Sequence, residues 1–140
     1  MPPQSIILVV EDDAAVTAAL YEVLSFHGYR IITAASAQEA ERALQRLGVA
    51  QIHLVISDIH LTRNTQACEG YALYQRWRHL YPALPFMLIS AYPNSRDLPA
   101  IRAQTVPFLE KPFAIDALLQ CVREATGQAI DDECQQPQTA

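Results

Sequence analysis

Basic charge is scarce in this chain. Its 140 residues hold 10 Lys and Arg against 15 Asp and Glu, a formal net charge of −5. A surface for nucleic acid or acidic lipid needs the opposite excess, so no direct contact with either is expected. The one basic cluster, Arg76, Arg78 and His79, falls late in a predicted helix, where cations complement the helix dipole. Cysteine is sparse too. Cys68, Cys121 and Cys134 are odd in number and lack CxxC spacing, which fits neither a disulfide framework nor a zinc site and points to a reducing compartment. His27, His53, His60 and His79 lack the helical i, i+4 pairing of common metal motifs. Long apolar runs are missing as well. The first, Ile6–Val10, is far too short for a signal peptide or a membrane span and follows no positive segment, so a cytoplasmic protein without a membrane partner is expected. There are no internal repeats.

Apolar residues make up 51% of the chain and charged ones 18%, enough for one substantial core and one domain. That domain is expected over residues 1–127, followed by a polar, disordered tail over 128–140. Short apolar runs alternate with amphipathic stretches. Ile6–Val10 leads to Val16, Leu20, Val23 and Leu24 at helical spacing, closed near Gly28. Ile31 and Ile32 open a second strand. Ser36 to Glu39 reads as a capping box before Ala40, Ala43, Leu44 and Leu47, with Gly48 at the end. Leu54–Ser57 is a third strand with Asp58 at its carboxyl end, and a polar loop from Thr62 to Glu69 precedes a helix bearing Leu73, Tyr74, Trp77 and Leu80. Phe86–Ile89 is the fourth strand, with Ser90 at its end. Asp97 is a plausible N-cap for a short helix ending near Gln104. Val106–Glu110 is the fifth strand, and Pro107 inside it suits only a sheet edge. Ile115, Leu118, Leu119 and Val122 mark the last helix, ended by Gly127.

Five β-then-α units in succession predict an α/β fold, a doubly wound parallel five-stranded sheet with helices on both faces. Strands that are apolar throughout fit burial on both sides. In such sheets a ligand binds beyond the carboxyl ends of the strands. At those ends stand Glu11, Asp12 and Asp13, then Asp58, then Ser90, then Lys111-Pro112. Each has an ordinary explanation alone: an acidic helix start, a turn aspartate, a local hydrogen-bonding serine, a surface lysine. For Asp13 the helix cap is the better account. Together the others defy coincidence, because separate strand ends deliver carboxylates, a hydroxyl and an ammonium to one edge. Crowded carboxylates call for a cation, and hard oxygen ligands favour magnesium, which also bridges to phosphate oxygens. A carboxylate at the centre of that array, Asp58, can act as a nucleophile toward phosphorus.

Leu8-Val9-Val10-Glu11-Asp12-Asp13, Leu54-Val55-Ile56-Ser57-Asp58-Ile59, Leu88-Ile89-Ser90-Ala91 and Phe108-Leu109-Glu110-Lys111-Pro112-Phe113 together resemble the response-regulator receiver domains of two-component signalling, the chemotaxis-regulator-like family, over residues 5 to 126. The resemblance implies flavodoxin-like strand order 2-1-3-4-5 and a phosphoryl group accepted on Asp58 from a sensor histidine kinase or a histidine phosphotransfer domain. It implies Mg2+ held by Glu11, Asp12, Asp58 and the backbone carbonyl of His60. Ser90 becomes the switch hydroxyl, Lys111 the cation that contacts the phosphoryl group, and Lys111–Pro112 a cis bond. Phe108 matches the switch aromatic, though an ordinary core residue of strand five is an equal account of it. His60 and Tyr92 flank the route of the hydrolytic water in the family, which predicts slow loss of the phosphoryl group. The domain is then no enzyme beyond its own phosphorylation and dephosphorylation. It is expected as a monomer or weak dimer that controls a downstream protein by changing shape.

Two departures stand out. Thr62 takes a place where many relatives have proline, and the stretch from Asp58 to Gly70 is about four residues longer than usual, either a determinant of partner choice or a neutral extension. The short helix after strand four puts the usual output face in question. Three rival readings compete. A receiver-like interaction module that never takes phosphate conflicts with the intact Glu11, Asp12, Asp58, Ser90 and Lys111. An aspartate-nucleophile phosphatase wants DxD on the first strand, where this chain has Glu-Asp-Asp. A flavodoxin-like cofactor binder needs a glycine- or hydroxyl-rich phosphate loop there, which three acids oppose electrostatically.

Overall fold

The computed structural model describes residues 5–61 and 68–127. The tail expected over 128–140, and positions 62–67 of the extended loop, lie outside the described residues. The elements are β1 (Ile6–Val10), α1 (Ala14–Phe26), β2 (Arg30–Ala34), α2 (Ala37–Leu47), β3 (Leu54–Asp58), α3 (Glu69–Leu80), β4 (Phe86–Ser90), α4 (Pro99–Arg102), β5 (Phe108–Glu110) and α5 (Ile115–Thr126). All strands pair in parallel, in the order β2-β1-β3-β4-β5. The doubly wound sheet inferred from the alternating pattern is therefore the one observed. Its order reverses between β1 and β3, and a crevice opens where their carboxyl ends diverge.

The strands bury side chains on both faces. Along β1, Ile7 and Val9 join a core with Leu20 and Leu24 of α1 and Leu118, Leu119 and Val122 of α5. Leu8 and Val10 point the other way, into a second core with Ala40 and Leu44 of α2 and Leu73 and Trp77 of α3. Alternate side chains thus serve two cores, which is why the inner strands read as unbroken apolar runs. Every residue of β1, β3 and β4 is buried, while edge strand β5 is only half-buried.

Local signals place the helix starts. Asp13 Oδ1 accepts the N–H groups of Ala15 (2.9 Å) and Val16 (3.4 Å), the capping role assigned to it by its position. Ser36 Oγ accepts the Glu39 N–H at 3.1 Å, and Glu39 reaches back to the Ala35 N–H at 2.9 Å, one residue before the usual capping-box partner.

The region after β4 differs from expectation. Residues Pro93–Asp97 form a 3-10 turn, and α4 is one turn long with Leu98, not Asp97, at its N-cap. Two prolines set the break, each fixing φ at the start of its own turn. The Tyr71 hydroxyl of α3 accepts the Ala100 N–H at 2.9 Å and so does a cap's work. Gln104 ends α4 in the left-handed region (φ 57°), with its N–H on the Ile101 carbonyl (3.1 Å) and the Thr105 N–H on Ala100 (2.9 Å). Strand five begins at Phe108 rather than Val106, because Pro107 has no N–H for the ladder. Its carbonyl still accepts the Leu88 N–H at 2.9 Å.

Candidate functional site

At the carboxyl ends of β1 and β3, ligand oxygens of Glu11, Asp12 and Asp58 all lie within 4.8 Å of one another. Parallel pairing brings this about: Val10 sits opposite Ser57, so the next residue on each strand faces the same crevice. Glu11 and Asp58 are buried, and Asp12 is exposed at the mouth. Asp58 Oδ1 accepts the His60 N–H at 2.9 Å, and Glu11 Oε1 accepts the Asp13 N–H at 3.2 Å.

Lys111, the chain's only lysine, arrives from just beyond β5. Its Nζ donates to Asp58 Oδ2 at 2.6 Å and to Glu11 Oε2 at 2.8 Å. The Lys111–Pro112 peptide bond is cis, and the Lys111 N–H donates to the Ser90 carbonyl at 2.7 Å. Burial lifts Glu11 to about 7; the Lys111 hydrogen bond opposes the shift, and the neighbouring Asp58 charge adds to it. Burial works against the Lys111 ammonium, but its bonds to Asp58 and Glu11 outweigh that and raise its pKa above that of an ordinary lysine. Three carboxylates thus face one ammonium, and the oxygen-rich crevice of about 640 Å³ they line is suited to a hard cation.

Ser90 lies one strand away and is fully buried. Its Oγ stands 2.8 Å from Ser95 Oγ and accepts the Tyr92 N–H at 3.1 Å. Phe108 is half-buried at the start of β5, opposite Leu88 in the register, and packs against the core beneath α2, α3 and α4. The rings of His60 and Tyr92 meet edge to face, 4.8 Å between centroids, on the wall of the crevice.

Two neighbours of the site carry no signal in the sequence. Gly70 in the first turn of α3 leaves no room for a Cβ, which would stand 1.7 Å from the Asp58 carbonyl oxygen. Its N–H donates to the Ile59 carbonyl at 2.9 Å. The length of the loop before it hides that closeness. Ser95 is the second, a buried serine in a stretch that reads as a polar turn.

Residues 7–123 match the family model for the response regulator receiver domain. The chain belongs to that family. It is 37% identical over 129 residues to the response regulator protein FleR of Pseudomonas aeruginosa, covering 91% of this chain and 26% of that protein. It is 31% identical over 121 residues to the sensor kinase CckA of Brucella abortus, covering 84% of this chain and 12% of that one. Among solved structures, the receiver domain of NtrX from Brucella abortus aligns with a TM-score of 0.74 and 28% identity, over 88% of this chain and 99% of that one. This chain thus matches 26% of the length of the first of these curated relatives and 12% of the second. Receiver domains of response regulators receive phosphate from histidine kinases. Among the described residues no helix is long and apolar enough to cross a membrane.

Proposed function

We propose that Asp58 is the phosphoacceptor of this receiver domain, served by magnesium at Glu11, Asp12 and Asp58. The observation that carries the reading is the meeting of those three carboxylates with Lys111, which spans Asp58 and Glu11. A carboxylate oxygen of Asp58 attacks the phosphorus of a phosphohistidine, the P–O bond forms as the P–N bond breaks, and the bonding electrons leave with the imidazole. Oδ2 suits the attack, since Oδ1 is held by the His60 N–H while Lys111 stands beside Oδ2, ready to pass to a phosphoryl oxygen. The side chains of Glu11, Asp12 and Asp58 and the His60 carbonyl would hold the metal, which supplies charge to offset the carboxylates and the incoming phosphoryl oxygens. The net negative charge of this donor set supports the fit.

Ser90 then acts as the switch hydroxyl and Phe108 as the aromatic that follows it. The phosphoryl donor is a sensor histidine kinase or a histidine phosphotransfer domain, and the output is contact with a downstream protein. We place the protein in the cytoplasm, acting as a monomer or weak dimer and as a switch rather than an enzyme. The His60–Tyr92 ring pair shields the acceptor from water, so loss of the phosphoryl group is slow and quickens when both become alanine, as decay of the phosphoprotein would record.

Incubation with magnesium and a small phosphodonor, read by intact mass, tests the central claim. One added phosphoryl group is expected on the wild type and none on Asp58→Asn. A wild type that gains nothing is an interaction module instead.

A further inference from the structure

The turn Pro93–Asp97 exposes Asn94, Arg96 and Asp97, yet Ser95 between them is only 2% exposed. Its Oγ lies 2.8 Å from that of Ser90. A buried hydroxyl deprived of a partner costs free energy, so two that face each other hold a definite place. The turn closes around Ser95, whose N–H donates to the Tyr92 carbonyl (3.0 Å) and whose carbonyl accepts the Leu98 N–H (3.1 Å). Arg96 of the same turn pairs with Glu110, the residue opposite Ser90 in the β4–β5 register. That pair is well exposed on the Arg96 side and holds weakly. The buried hydroxyl pair is the firmer tie between the turn and the sheet.

We propose that Ser95 is the resting partner of the switch hydroxyl: it holds Ser90 until a phosphoryl group on Asp58 takes that hydroxyl away, and the turn Pro93–Asp97 is then released. The proposal rests on Asp58 being the phosphoacceptor. Either hydroxyl can be the donor of the pair; where Ser90 donates, its one proton is committed to Ser95 and cannot serve a phosphoryl oxygen as well. A phosphoryl oxygen is charged and makes the stronger bond, so the exchange favours it. Ser95 is left buried without Ser90, and its turn must open to water to satisfy it. Because Leu98, which closes that turn, is also the N-cap of α4, the opening reaches the one-turn helix directly. Ser95 is a positioning residue in this account, and phosphorylation is reported by the exposed turn ahead of α4.

Beryllium trifluoride with magnesium, a mimic of the phosphoryl group, is titrated into the full chain and into Ser95→Ala, Ser90→Ala, the double variant and Asp58→Asn. Without Ser95 the resting state loses a net hydrogen bond, so Ser95→Ala is expected to bind the mimic roughly 3- to 10-fold more tightly. In the Ser90→Ala background the same substitution has no effect. Amide exchange at Ser95 and Leu98 quickens when the wild type is saturated and is already fast in free Ser95→Ala. A role in folding alone lowers the melting temperature and leaves affinity unchanged, and that result overturns the proposal. Equal tightening in the Ser90→Ala background overturns it too. Failure of the wild type to bind the mimic, or undiminished binding by Asp58→Asn, overturns the phosphoacceptor reading with it.

Discussion

Asp58 and Ser90 end neighbouring strands of one sheet, but the described residues around them are held in very different ways. Around Asp58 the ties are dense and buried. Its carboxylate takes a backbone N–H and the Lys111 ammonium, its strand is flanked on both sides, and α3 starts hard against its carbonyl at Gly70. Beyond Ser90 the chain runs through two single turns with mostly exposed side chains, beside an edge strand of three residues. The proposed phosphoacceptor is thus tied by buried contacts from three sides. Few buried contacts beyond Ser90 imply low local stability there, the property that the proposed switching segment needs.

The contrast can be broken hardest at Gly70. In Gly70→Ala the new methyl meets backbone rather than a pliable side chain, so a loss of about 4 kcal/mol or more is expected in urea denaturation, larger than ordinary overpacking. Lys111→Met comes next. It leaves buried Glu11 and Asp58 facing each other without a cation, at a cost of about 3 kcal/mol that added magnesium partly restores. Both changes strike the rigid region and lower global stability. Tyr71→Phe strikes the other one. It removes the acceptor of the buried Ala100 N–H, for about 1 kcal/mol, and faster amide exchange confined to the α4 segment is the expected sign. Global loss with no local change would erase the distinction between the two regions. Gln104→Gly is the smallest effect. Relief of a positive φ stabilises by about 0.5 kcal/mol, visible as a slightly raised urea midpoint.

Much of this was legible before any coordinates. The apolar runs of β1, β3 and β4, the Asp13 cap and the Ser36–Glu39 pair rest on local rules, and local geometry obeyed them within a residue. Glu11, Asp12, Asp58 and Lys111 could be gathered from sequence because parallel strands deliver their carboxyl ends to one edge. Where Pro93 and Pro99 lie six residues apart, the reading of Asp97 as a cap failed, since each proline starts its own turn. The Tyr71 hydroxyl on Ala100, the closeness of Gly70 to Asp58 and the burial of Ser95 left no pattern to read.

By itself, then, the sequence determined the alternation of strands and helices, the faces they bury and the set of acidic and basic groups at the strand ends, because these follow from periodicity and from residues close together in the chain. Tertiary structure alone decided which oxygens Lys111 joins, where a methyl group is forbidden under Asp58, and which serine faces Ser90. Those are contacts between segments whose separation along the chain says nothing about their separation in space, and they are settled only when the two cores pack.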